Sequence, residues 1–362
     1  MSENNYGKRM EKNNKSKKGT NKKKRKGLKI FLIVLVIIVV IIAGVLAAGY
    51  TYIYSKLESM NQEEIDLNNV NIDETVADEL SNYRNIALFG IDSRADDYGR
   101  GNRSDCIIIA SINKKTNDVK LLSVYRDTYL KLTGRNLDKV THAYSYGGAE
   151  LAVSTLNANL DLNIQEYVTV NFDAVVDAVD ALGGVRIEVD SAEVKYINDY
   201  IDENNRVTGH SSSHINTAGT YNLDGVQALA YSRIRYTSGG DYKRTERMRE
   251  VLEAMLSKAK TLSISELINV ANIMLPKIST NISSTDIIGL APTLLKMNIG
   301  ESIGWPEKTE GDMIGGVYYG VPVNLEENVK ELHKELFEQN DYEPSETVKT
   351  ISNEIINKTG IK

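Results

Sequence analysis

Arginines and aspartates gather in five short stretches of this sequence. These are Gly90-Ile91-Asp92-Ser93-Arg94, Arg103-Ser104-Asp105, Ser123–Thr128 around Arg126, Arg233-Ile234-Arg235, and Asp241 through Arg249. The guanidinium fork suits bidentate contact with phosphate oxygens. On a helix, Arg244 and Arg247 are i, i+3 neighbours, and arginines near a helix start oppose its dipole unless an anion sits between them. Aspartates beside arginines suit a metal-bridged phosphate, because Mg²⁺ is commonly held by one or two carboxylates plus substrate phosphate oxygens. Plainer readings stand beside these. Composition alone favours a solvated basic face laced with Glu246 and Glu250, and Asp92 and Asp105 could simply pair with Arg94 and Arg103.

Other chemistries have little support. His142, His210, His214 and His333 show no metal-type spacing; His210 and His214 are four apart but flank Ser211-Ser212-Ser213, which reads as a polar loop. Cys106 is the only cysteine, so no intramolecular disulfide can form. It precedes Ile107-Ile108-Ile109-Ala110 and reads as a small buried residue, not a thiol nucleophile. Phosphate-binding P-loops, Gly-x-Ser-x-Gly elbows and dinucleotide fingerprints are absent from the sequence.

Something must bring these stretches together. Strands are expected at Asn85–Phe89, Ile107–Asn113, Val119–Val124, Tyr167–Asn171, Val185–Val189 and Ala228–Ile234, all short and rich in Val, Ile or Leu. Helices are expected at Gly148–Leu160, Phe172–Leu182, Tyr242–Ala259, Ser263–Met274, Ser284–Lys296 and Leu325–Phe337, with a short one near Thr347–Ile356. Alternating strands and helices imply a sheet with helices on its faces. The tight Lys114–Asp118 turn adds an antiparallel hairpin, so the sheet should be mixed. Strand one then ends at Asp92, strand two begins at the same edge with Asp105, and strand three returns there with Arg126. Such strand rims are where ligands bind in open α/β sheets. If Ala228–Arg235 is a strand, Arg233 and Arg235 point to one face.

Charge divides the chain. The first 29 residues hold twelve Lys or Arg against two acids, a net +10, while the whole chain carries −6. A basic run can read as a nucleic-acid patch, but the residues after it decide otherwise. Ile30 to Ala48 carries no charge over 19 residues, roughly 28 Å of helix against a bilayer core of about 30 Å. An uncleaved anchor is favoured over a signal peptide, whose apolar stretch is typically shorter, and the basic cluster places the N-terminus in the cytoplasm. The tail could also hold anionic lipid heads. With no helix-turn-helix pattern in the tail, nucleic acid is not an expected partner. The expected organisation is a cytoplasmic tail at 1–29, a transmembrane helix at 30–50, an extracytoplasmic stalk at 51–81, a domain at 82–337 and a polar tail at 338–362.

At the first three arginine and aspartate stretches, and from Asp224-Gly225 through Arg247 with Arg233-x-Arg235 and Asp241-x-x-Arg244, the chain resembles the LytR-CpsA-Psr family of bacterial cell-wall assembly enzymes, from about residue 84 to 257 and more loosely to Phe337. The resemblance implies an α/β/α sandwich with an apolar tunnel for a polyprenyl chain; the Phe172–Leu182 helix offers an apolar lining and equally suits packing on a sheet. It implies transfer of a glycan phosphate from a polyprenyl-pyrophosphate carrier to a muramic acid hydroxyl of peptidoglycan. Carried over residue by residue, Asp92 and Asp105 look like Mg²⁺ ligands. Arg126, Arg233, Arg235 and Arg244 look like pyrophosphate binders supported by Asp241, and Arg94, Arg103 and Arg247 look like additional phosphate contacts or supports for the residues that make them. The chain departs from the commonest family form at Tyr125, where Pro is usual, and at Met248, where Gln is frequent. Asp105, Asp127 and Asp241 are candidates for the general base. Two rival readings are a pyrophosphatase that uses water as acceptor, and a non-enzymatic wall-binding or regulatory protein.

Overall fold

The computed structural model describes residues 61–93, 97–283, 286 and 298–362. The expected cytoplasmic tail, the membrane helix and nearly all of the helix expected at Ser284–Lys296 lie outside the described residues. Among the described residues no helix is long and apolar enough to cross a membrane.

Seven strands form the central sheet: β1 (Asn61–Gln62), β2 (Tyr83–Ile91), β3 (Ser104–Asn113), β4 (Asp118–Val124), β5 (Glu166–Asn171), β6 (Ile278–Thr280) and β7 (Asn298–Trp305), in the order β1-β6-β5-β2-β3-β4-β7. The expected hairpin is present, with Ile112 opposite Val119 and Ile107 opposite Val124. β2 also runs antiparallel to β3 but parallel to β5, and β4 runs parallel to β7, so the sheet is mixed.

Period-two alternation supplies both faces. Ile86, Leu88, Ile108 and Ala110 point into one buried cluster, and Ala87, Phe89, Ile107 and Ile109 into the other. Nine helices are described: α1 (Glu74–Glu79), α2 (Val140–Leu160), α3 (Phe172–Ala181), α4 (Ser191–Thr208), α5 (Gly225–Arg233), α6 (Gly240–Ala259), α7 (Ile264–Met274), α8 (Leu325–Phe337) and α9 (Glu346–Thr359). Helices α3 to α7 fill the first cluster, and α1, α2, α8 and α9 the second. Gly148, at φ +68°, kinks α2, which begins eight residues before the expected start.

Three expectations need correction. Ala228–Ile234 is not a strand but most of α5. Asp224 caps that helix by accepting from Gln227 N while the Gln227 side chain returns to Asp224 N, a capping box that outweighs the Ala-Leu-Ala-Tyr alternation. Val185–Val189 is a strand, but it pairs with Gly219–Leu223 outside the central sheet. The packed body also extends past both expected boundaries. Val70, Val76 and Leu80 of the expected stalk are buried. In the expected polar tail, α9 buries Val348, Ile351 and Ile355, and Asp161 holds its start through Tyr342 Oη at 2.9 Å and Ser345 Oγ at 2.6 Å.

Candidate active site

Strands β2, β3 and β4 place three of the expected side chains. β2 ends and β3 begins at one edge, where Asp92 N donates to the Arg103 carbonyl at 3.2 Å. β4 returns to that edge, and Thr141 N bonds the Arg126 carbonyl at 3.1 Å, seating the start of α2 against it. Across the rim, α5 ends at Arg233 and α6 begins at Gly240. Between them opens a cavity of about 460 Å³ lined by Asp92, Arg103, Asp105, Arg126, Arg233, Arg235 and Arg244, with Phe172, Tyr200, Tyr236 and Met248 completing much of the wall. Arg233 and Arg235 thus converge, although not by sharing a strand face: Arg233 closes a helix and Ile234 after it is extended.

Asp105 is the hub. Its Oδ1 accepts from Arg126 Nη1 at 2.7 Å, and its Oδ2 lies 3.6 Å from Arg235 Nη2 and 4.0 Å from Arg244 Nη1. Asp241 braces the same arginines, with Oδ1 3.2 Å from Arg244 Nη2, 3.8 Å from Arg126 Nε and 4.0 Å from Arg235 Nε. Arg233 is held apart from this group by Asn204 Oδ1 at 2.5 Å and Glu203 Oε1 at 3.0 Å, and it lies over the Phe172 and Tyr200 rings.

Five arginines and two aspartates line the cavity, with Asp241 and Glu203 offsetting part of the positive charge from beside it. Burial tends to lower the Arg126 guanidinium, but Asp105, Asp241 and Asp127 outweigh it and raise it above its ordinary value. Arg244 goes the other way. Its side chain is 2% exposed, and burial first, then repulsion from Arg126 and Arg235, pulls it below its ordinary value against the help of Asp241 and Asp105. An anion in the cavity relieves that repulsion. Cys106 sits beneath the rim with its thiol pushed up to about 12, chiefly by burial, so it is no thiolate nucleophile.

Asp92 and Asp105 share a cavity wall, and each carboxylate has lone pairs for more than one partner. Among the described residues no group of three or more His, Cys, Asp or Glu could hold a metal unaided. Two carboxylates that leave other positions to water and phosphate oxygens are the donor set Mg²⁺ accepts, so the residues fit that ion.

Among the described residues, Arg103 lines the cavity and Arg247 does not. Arg94 lies outside the described residues. Arg247, expected as a phosphate contact or a support for one, is 1% exposed and takes the supporting place. Its Nε donates to Glu193 Oε1 at 2.7 Å, Nη1 to the Ile234 carbonyl at 3.0 Å and Nη2 to Thr237 Oγ1 at 2.6 Å. A guanidinium so committed holds the loop that carries Arg235, and it does not line the cavity. Tyr200 was missed because α4, which carries it, was not expected, and Tyr236 lies in the loop between α5 and α6. The signals for α4 were an Asp190–Glu193 capping box and apolar Val194, Ile197 and Ile201 ahead of Gly209.

Residues 48–337 match the LytR_cpsA_psr family. The chain belongs to this family. It is 35% identical over 260 residues to the polyisoprenyl-teichoic acid–peptidoglycan teichoic acid transferase TagT of Bacillus subtilis, covering 71% of this chain and 76% of that one. It is 32% identical over 241 residues to the transferase of that kind named TagU in Enterococcus faecalis, covering 66% and 71%. A solved structure of the LytR-CPS2A-psr family protein YwtF (TagT) with bound octaprenyl pyrophosphate lipid aligns with a TM-score of 0.53 at 32% identity, covering 74% of this chain and 95% of that one.

Proposed function

We propose that this LytR_cpsA_psr protein moves an anionic glycan phosphate from a polyprenyl-pyrophosphate carrier onto peptidoglycan. The observation that carries the reading is the convergence of five arginines on one rim cavity, in a chain similar to named teichoic acid transferases. Arg126, Arg235 and Arg244 would bind the pyrophosphate from one side and Arg233 from the other, with Arg103 beside them. Phosphoryl transfer depends mainly on positioning and charge neutralisation. An acceptor hydroxyl oxygen forms a bond to the glycan-bearing phosphorus while the bond from that phosphorus to the bridging oxygen breaks. Polyprenyl phosphate leaves, and the hydroxyl proton passes to a carboxylate at the site. Asp92 and Asp105 would hold Mg²⁺, which supplies further neutralisation of phosphate oxygens.

The full chain in detergent micelles, given a donor labelled in its glycan and a peptidoglycan oligomer, should place label on the oligomer and release one polyprenyl phosphate per transfer. Label found only in free glycan phosphate would overturn transfer in favour of hydrolysis.

The same reading places residues 1–29 in the cytoplasm and the catalytic domain outside, beside its lipid-borne donor, as the basic cluster before Ile30 supports. A cysteine introduced at Ser59 should react with an impermeant reagent in intact cells and one at Ser16 should not. Buried Cys106 gives little background. Reversed labelling would sink the topology.

A further inference from the structure

A second opening adjoins the phosphate cavity, and the arginine cluster does not account for it. Tyr125, Tyr242, Tyr318, Thr309, Asp127 and Asp241 line most of a crevice of about 40 Å³. Tyr242 and Tyr318 flank it with 42% and 49% of their surfaces exposed. Tyr125 meets Tyr242 edge-on at 4.5 Å and 79°. The Tyr125 hydroxyl occupies the space a Cβ at Gly304 would need, 2.1 Å from its ideal position, so β7 makes room for this ring. Thr309–Ile314 pairs antiparallel with Val317–Pro322, and this hairpin, which bears Tyr318, is tied to the rim by Gly320 N donating to the Asp127 carbonyl at 2.9 Å.

Asp241 stands between the two openings. It lines the crevice, yet its Oδ1 lies 3.2 Å from Arg244 Nη2 and 3.8 Å from Arg126 Nε, and both arginines line the phosphate cavity. Asp127 also faces the crevice while ion-paired to Lys139 Nζ at 2.7 Å.

We infer that this crevice is the acceptor subsite, where a sugar of the peptidoglycan strand lays its ring across Tyr242 and Tyr318 and sends one hydroxymethyl arm inward to Asp241. The inference rests on the transfer reading above. Size and chemistry select this occupant. The crevice holds little more than one water-sized group, which suits a primary alcohol and excludes a whole ring. Aromatic faces suit the C–H face of a sugar, while carboxylate oxygens accept from its hydroxyl. A polyprenyl chain would meet two carboxylates here, and a phosphate would be repelled by them.

The test uses the full chain in micelles with Tyr318→Ala, Tyr242→Ala and the double variant, with Tyr318→Phe as rescue. Met313→Ala, at an exposed position of the same hairpin that does not line the crevice, is the control. Each lost ring should raise the KM for a peptidoglycan oligomer about two- to tenfold, the range of an aromatic contact, while the donor KM holds; the Phe variant and the control should match wild type. An unchanged acceptor KM in the double variant, or a rise in donor KM instead, overturns the assignment. Oligomer binding without donor, followed by calorimetry, separates the two readings. If wild type binds the oligomer and the double variant does not, the subsite stands even where no transfer is seen. Equal binding by both removes it.

Discussion

Asp92→Asn should lower glycan transfer by about a hundred- to a thousandfold, the size of a lost contact to charge developing in the transition state. Asp92 is the clean test of the metal hypothesis because it is exposed at the rim, where a lost charge leaves the core intact. Asp105 is not. Asp105→Asn would also strip Arg126 and its neighbours of their shared carboxylate, and unpairing a buried ion commonly costs about 3–5 kcal/mol. The expected pattern is therefore split: both variants lose activity, but only Asp105→Asn melts earlier without metal. A second readout does not depend on turnover. Mg²⁺ with inorganic pyrophosphate should raise the wild-type melting temperature, by linkage worth about 2.7 kcal/mol at a hundredfold above the dissociation constant, and should raise it less in Asp92→Asn. Wild-type rates and an unchanged Mg²⁺ response in Asp92→Asn would show that the carboxylate holds no metal.

The convergence of Asp92, Asp105 and Arg126 was legible in the sequence because it needed only one tight turn. Once Lys114–Asp118 reverses the chain, alternate strand ends must share an edge, and the apolar runs fix the register. The convergence of Arg233 and Arg235 was expected for a wrong reason. Apolar residues in Ala228–Ile234 suit a strand as well as a short buried helix, a run of this length cannot separate them by periodicity, and the deciding signal lay upstream in the Asp224–Gln227 capping box. Whether Arg247 contacts the phosphate or supports residues that do was not legible. Its i, i+3 spacing from Arg244 is compatible with a shared ligand, and what turns it inward is Glu193, 54 positions away on the unexpected helix α4. The crevice was equally hidden, since Tyr125, Tyr242 and Tyr318 meet only after the 309–322 hairpin folds back on the rim. Tyr125 had registered as a departure from the usual Pro, and its packing over Gly304 is what that departure does here.

The sharpest consequence of the arginine geometry concerns Arg235. It is the most exposed of the three guanidiniums around Asp105, at 39% against 17% for Arg126 and 2% for Arg244, and its carboxylate contacts are long, at 3.6 and 4.0 Å. It therefore has the most freedom to close on a pyrophosphate and contributes least to the fold. Arg235→Lys should leave stability within about 0.5 kcal/mol, as for an ordinary surface change, yet lower transfer by about a hundred- to a thousandfold, because lysine keeps the charge and loses the fork. Arg244→Lys should lose activity to a similar degree and also melt earlier, since a more strongly hydrated ammonium would have to be buried in its place. Arg247→Lys should appear first in the melting temperature, because its partner Glu193 is buried with it. Lys243, beside Arg244 but paired to Glu246 at 2.7 Å, supplies the control: Lys243→Ala should keep wild-type rates. Initial rates of label transfer and thermal melts on the same preparations separate these outcomes. Near wild-type transfer by Arg235→Lys would refute the clamp, and an equal loss in Lys243→Ala would mean that general basicity, not the placement of the forks, is what the donor recognises.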